Sequence, residues 1–212
     1  DADVEVNPVR FRELHLIHHS HTDIGYSHLQ EEVILIHNRN IREALRLIQK
    51  TKDYPEGSRF IWHIESAWVV ENFLRECNQN ERAAFFTAVR NHQIVISANY
   101  ANVMTGLCLP EEMDWITDYA FSLQQKEKIP LTTAMLTDVP GMSWSVVKSL
   151  SERGVRYFSN GINYIEGMPG GGDRIGQALS AHGDKPFWWV SDSGKDSILM
   201  WCAGKGYSSW HG

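Results

Sequence analysis

Cysteine is scarce in this chain, basic charge is in the minority, and no apolar run is long. The three cysteines, Cys77, Cys108 and Cys202, are odd in number and widely separated. They form no CxxC pair and no disulfide framework, so they read as buried or half-buried free thiols. Lys and Arg number 20 against 26 Asp and Glu, a formal net charge of −6. Phosphate-backbone binding wants a basic stripe and none is visible, which excludes a nucleic-acid partner. No stretch is apolar for long enough to span a bilayer, which excludes a membrane partner of that kind. No basic-then-apolar segment with a small-residue cleavage site opens the chain, so a signal peptide is not expected among these residues and the compartment stays open. Low-complexity tracts and sequence repeats are lacking too.

What is present describes a globular protein. The chain has 212 residues, 42% hydrophobic and 22% charged. That fits one ordinary domain, or the first part of a larger one, with a core to bury.

An architectural rhythm replaces repeats. ELHLIHH at 13–19 reads as a strand, and residues 31–51 carry Ile34, Leu35, Ile41, Leu45 and Ile48 on a helical period. RFIWHI, ending at 64, reads as a second strand, followed by helices over 66–77 and 81–91. QIVISA at 93–98 is a third strand, and Pro110 suits the first position of a helix whose buried stripe is Met113, Ile116, Ala120 and Leu123. TTAMLT at 132–137 is a fourth strand, Ser143 is placed to cap a helix ending at Gly154, and VRYFS at 155–159 is a fifth strand. Strand–helix alternation predicts an α/β fold with a parallel sheet and helices outside. Residues 161–176 read as a glycine-rich loop without the strand–helix context of a dinucleotide fingerprint. FWWV at 187–190 and SILMW at 197–201 read as a hairpin around Asp192, Ser193 and Gly194. A closed strand–helix barrel needs roughly 250 residues, and about five units are supplied here, so the expectation is a truncated domain.

The chemistry concentrates in HHSHTDIGYSH at 18–28. On a strand, His19, His21 and Asp23 point to one side. Two imidazoles and a carboxylate converging at a strand end suit Zn²⁺ or a similar divalent ion. A lone His on a strand is usually a satisfied polar residue, and His15 and His18 are assigned supporting or core roles. Asp138 ends the fourth strand, where parallel α/β folds carry their active sites. It can ligate a metal, attack a sugar carbon or cap a helix. Other strand ends offer His63 and Glu65, Asn99 and Tyr100, Ser159 and Asn160 to the same rim. Most of the eight tryptophans read as packing, and Tyr26 is the aromatic expected to meet a sugar.

These segments together resemble the N-terminal domain of glycoside hydrolase family 38, the class II α-mannosidases. HSHTDIGY is similar to that family's His-x-His-x-Asp-x-Gly-aromatic motif. RFIWHIESAW, IVISANYANV with LPEEM, and LTDVPGMSW resemble its second strand, third strand and nucleophile segment. The likeness runs in order through residues 12–202. It implies a seven-stranded β/α barrel, of which residues 1–212 form an incomplete, N-terminal part. It implies Zn²⁺, or another divalent metal, on His21, Asp23 and Asp138, with Asp138 also the nucleophile of a retaining α-mannosidase. Tyr26, Asn99 and Glu65 are the expected substrate contacts. A mannose-containing glycan and C-terminal domains of the same polypeptide are the expected partners.

The sequence departs from the family in three ways. Tyr26 stands where a tryptophan is common. Asp138-Val139-Pro140-Gly141-Met142 replaces the usual Asp-Pro-Phe-Gly-His. The last zinc-ligating histidine and the acid/base aspartate find no match before residue 212. Two rivals remain. One is a His-x-His phosphoesterase or amidohydrolase, which would draw further ligands from His182 and His211. The other is a non-catalytic carbohydrate-binding module that keeps the metal site.

Overall fold

The computed structural model describes residues 13–139, 142–161 and 185–202. Apart from Gly161, the expected glycine-rich loop lies outside the described residues, as do His182 and His211.

Two ladders organise the described residues. The first holds β1 (His18–His19), β2 (Trp62–Ile64) and β3 (Ile94–Ile96), all parallel, in that order. The second holds β4 (Thr133–Thr137), β5 (Tyr157–Gly161), β6 (Phe187–Val190) and β7 (Ser197–Cys202) in the order β4-β5-β7-β6. Its first three members are parallel, and β6 pairs with β7 antiparallel as the expected hairpin. Between β3 and β4 the backbone ladder gives way to single bonds. The Ala98 N–H donates to the Thr133 carbonyl at 3.0 Å, and the Met135 N–H donates to the Ser97 hydroxyl at 3.0 Å.

Among the described residues, five α-helices pack outside these strands: α1 (Gln30–Lys50), α2 (Ala67–Glu76), α3 (Gln79–Arg90), α4 (Glu112–Glu127) and α5 (Ser145–Glu152). One apolar cluster joins Ile64, Ile94 and Ile96 of the first ladder to Ile41, Phe73 and Phe85 of α1–α3. A second joins Ala134, Leu136, Phe158 and Met200 to Met113, Val147 and Leu150 of α4 and α5. Alternation along the strands accounts for both, because every second side chain faces the helices.

Several local expectations shift. The buried stripe of α1 is Val33, His37, Ile41, Ala44 and Ile48, and Leu35 is 62% exposed. α4 starts at Glu112 rather than Pro110, and the Glu112 carboxylate accepts the Leu109 N–H at 2.7 Å. Ser143 does not cap α5, because its hydroxyl meets the Ser145 hydroxyl at 2.7 Å. Gly154 adopts φ +83° after α5, the expected left-handed stop.

Candidate metal centre

The opening strand is shorter than its sequence pattern. Residues 13–17 lie outside any strand and are exposed, and only His18 and His19 pair with β2. The alternation expected for His19, His21 and Asp23 therefore stops at His19. His21 and Asp23 sit in the irregular segment that leaves the sheet, and His19 is not part of the cluster they form. Gly25, at φ +84°, turns this segment back so that its N–H donates to the His28 carbonyl at 2.8 Å.

His21 faces carboxylates on both edges of its ring. Its Nδ1 lies 2.9 Å and 3.0 Å from the two carboxylate oxygens of Glu65, and Thr137 Oγ1 lies 3.2 Å from the same nitrogen. A carboxylate only accepts, so Nδ1 carries the proton and donates. Glu65 is itself fixed, because Asn102 Nδ2 donates to its Oε1 at 2.7 Å. On the opposite edge, His21 Nε2 lies 3.4 Å from Asp23 Oδ1 and 3.8 Å from Asp138 Oδ2.

Asp138 reaches this point by an uncommon backbone turn. It follows the last residue of β4 at φ +60°, and its N–H donates to the Gly161 carbonyl at 2.8 Å. Aspartate tolerates the left-handed region better than most side chains. The bond to β5 continues the sheet one residue further while the carboxylate turns into the cleft.

The donor set fits a divalent cation. One ligand atom each from His21, Asp23 and Asp138 lies within 4.8 Å of the others. Two ligands about 2.05 Å from one tetrahedral ion stand about 3.3 Å apart. The 3.4 Å and 3.8 Å separations are near that value. The charge balance points the same way, since Asp23, Glu65 and Asp138 surround one imidazole, and clustered carboxylates in a partly dry site call for positive charge. The hydrogen bond to Glu65 raises the His21 pKa, against the opposing effect of burial. A bound metal would take the position at Nε2 that a second proton otherwise holds.

The centre opens into a cleft of about 410 Å³ lined by His21, Asp23, Glu65, Trp68, Asn102, Asp138 and His37, among others. His37, unremarked in the sequence, is 7% exposed on α1, with its ring edge against Trp68 at 6.3 Å. Burial pushes His37 and His19 below the ordinary imidazole range. Asn102 and Thr137 were also missed; Thr137 ends β4, and Asn102 lies in the irregular segment beyond β3.

The other expected contacts are dispersed. Tyr26 stands 91% exposed in the loop after Asp23 and does not line the cleft. Asn99 is 6% exposed, and its amide nitrogen donates to the Met135 carbonyl at 3.1 Å. Tyr100 donates to Glu71 at 2.5 Å, and Asn160 donates to the Leu136 carbonyl at 3.0 Å. His63 and Ser159 face a different, mainly apolar cavity of about 200 Å³. His15 and His18 are exposed rather than in the core; His15 meets Glu13 at 3.4 Å and His18 lies against Phe60.

Residues 12–209 match the family model described as "Glycosyl hydrolases family 38 N-terminal domain". The chain belongs to that family. No curated protein matches it. Among solved structures, this family 38 domain is similar to an alpha-mannosidase from Enterococcus faecalis V583, with a TM-score of 0.65 and 17% identity over 91% of this chain and 20% of that one. It is similar to a protein in the glycosyl hydrolase family 38 from Enterococcus faecalis, with a TM-score of 0.59 and 15% identity over 87% of this chain and 18% of that one. A 4-alpha-glucanotransferase from Thermococcus litoralis gives a TM-score of 0.57 at 14% identity, over 87% of this chain and 26% of that one. At these identities the likeness is one of fold. The family 38 chain spans between 18% and 26% of the length of these structures.

Proposed function

We propose that this family 38 domain carries the metal centre and nucleophile of a retaining glycoside hydrolase acting on α-mannosidic linkages in a mannose-containing oligosaccharide or glycan. The observation that supports this most is the meeting of His21 and Asp23, from the segment after β1, with Asp138, from the end of β4, at one cleft. The family membership and the alpha-mannosidase among the similar folds support the choice of substrate class.

His21, Asp23 and Asp138 would hold Zn²⁺ or another divalent ion. When bound, that cation supplies positive charge beside Asp138 and a template for neighbouring sugar hydroxyls. The Asp138 carboxylate then attacks the anomeric carbon as the glycosidic C–O bond breaks, and a glycosyl ester forms on the aspartate. A second carboxylic acid, roughly 5–5.5 Å away in retaining enzymes, gives its proton to the leaving oxygen and afterwards takes one from the water that hydrolyses the ester. Asp23 and Glu65, the other carboxylates lining this cleft, both face His21. We therefore place the acid outside the described residues. Tyr26 is the proposed aromatic contact for the sugar. Asn99 and Glu65 have polar atoms turned to protein partners, and no sugar contact is assigned to them.

Two structural proposals accompany this reading. The ladders are arcs of one β/α barrel, supported by the single bonds across the β3–β4 seam and by the cavity that Ile17, His63, Ser97, Met135 and Trp201 line together. Further domains of the same polypeptide are the structural partners. The test is turnover by the full-length protein of an aryl α-mannoside against an aryl phosphate ester. Hydrolysis of the mannoside, lost on chelation and restored by Zn²⁺, is the expected result. Cleavage of the phosphate ester alone would reject the proposal in favour of a metal-dependent phosphoesterase.

A further inference from the structure

Glu65 stands on the far side of His21 from the other two carboxylates. The two imidazole nitrogens point away from each other across the ring. Glu65 meets Nδ1 with both oxygens, at 2.9 Å and 3.0 Å, while Asp23 and Asp138 face Nε2. Glu65 is therefore too far round the ring to share an ion with them. At 7% exposure, with both oxygens on His21, it is also badly placed to give a proton to a substrate.

The surroundings of Glu65 fix it in this pose. It lies just beyond β2, one residue after Ile64, so its backbone is anchored by the sheet. Asn102 Nδ2 donates to Oε1 at 2.7 Å and lies 3.4 Å from Thr137 Oγ1. Thr137, the last residue of β4 and the neighbour of Asp138, also approaches His21 Nδ1 at 3.2 Å. The segment after β2 and the end of β4 thus converge on one ring nitrogen of His21, and Asn102, from the segment after β3, backs both. An imidazole can rotate about its side-chain bonds and can carry its proton on either nitrogen. This arrangement restrains both freedoms and leaves Nε2 facing the two aspartates.

We propose that Glu65 is the positioning residue of the centre: held by Asn102, its carboxylate locks the tautomer and rotation of His21 so that Nε2 is presented to a divalent cation shared with Asp23 and Asp138. This rests on the reading of the cluster as a metal centre. Carboxylates that accept a proton from a ligand histidine strengthen metal binding by about 10- to 100-fold.

The test is the Zn²⁺ affinity of the full-length protein, measured by competition with a chromophoric chelator, for wild type, His21→Ala, Glu65→Gln and Asn102→Ala. Glu65→Gln keeps the side-chain volume and removes the charge. Expected are a weaker site in Glu65→Gln by about 10- to 100-fold, a smaller loss in Asn102→Ala, and unchanged metal-free melting temperatures in both. With Co²⁺ in place of Zn²⁺, the visible absorption bands of Glu65→Gln shift, which a merely structural role for Glu65 would not produce. Wild-type affinity and unchanged cobalt bands in Glu65→Gln, alongside lost binding in His21→Ala, would overturn the positioning role and leave the metal centre standing. A wild-type protein that takes up no Zn²⁺ would overturn the metal reading itself, and this proposal with it. If Glu65→Gln fails to fold, Asn102→Ala decides: weakened binding supports the proposal, and wild-type binding overturns it.

Discussion

Asp138 carries two demands on one side chain. It must turn off the end of β4 at φ +60° and bring its carboxylate to within 3.8 Å of His21 Nε2. Asparagine meets the first demand, since it enters the left-handed region as readily as aspartate does. It fails the second, because a neutral amide neither balances a cation nor attacks an anomeric carbon. Asp138→Asn in the full-length protein is therefore expected to abolish mannoside turnover while leaving thermal unfolding within a few degrees of wild type; undiminished turnover would remove Asp138 from the nucleophile's role. At this scale the sequence was legible where candidate metal-ligating residues crowd one short motif. His21 and Asp23 stand out in HSHTD, and Asp138 follows a run that reads as a strand. From the sequence Glu65 reads only as a strand-end residue and an expected substrate contact. Its partner His21 is 44 residues away, and Thr137 approaches the same nitrogen from 116 residues away. Nothing local records such pairings.

Elements were legible in kind and less so in extent. The helical period of residues 31–51 announced α1, yet its inward face is set by tertiary packing that takes Val33 and His37 inside and leaves Leu35 exposed. β1 was overread because ELHLIHH has the apolar alternation of a strand. Only two of its residues find a ladder partner, because β2 itself spans only Trp62–Ile64. The start of α3 rests on a reciprocal cap. Asn78 Oδ1 accepts the N–H groups of Asn80 at 2.9 Å and Glu81 at 3.0 Å, and the Glu81 carboxylate accepts the Asn78 N–H at 3.0 Å. Replacing such a cap by alanine costs about 1 kcal/mol. Asn78→Ala should lower unfolding free energy in urea by about that amount, with Zn²⁺ affinity unchanged. A loss confined to metal binding would contradict the separation of this helix start from the centre.

At the scale of the whole molecule, the centre lies where the two ladders meet. His21 and Asp23 follow β1 and Glu65 follows β2, in the first ladder, while Thr137 ends β4 and Asp138 follows it, in the second. The seam between β3 and β4 is held by single bonds rather than a continuous ladder. The strand–helix alternation made the parallel layers legible. It left open how the ladders close, since closure depends on non-local pairing. Asp23 and Asp138 face a shared imidazole across this seam, and a cation there would offset their repulsion and tie the first ladder to the second. Anomalous diffraction from crystals of the full-length protein, collected on both sides of the zinc absorption edge, tests this most directly. The account predicts one strong peak about 2.0–2.2 Å from His21 Nε2 and from a carboxylate oxygen of both Asp23 and Asp138. A zinc-loaded crystal with no peak there, or with its peak on other residues, would contradict it.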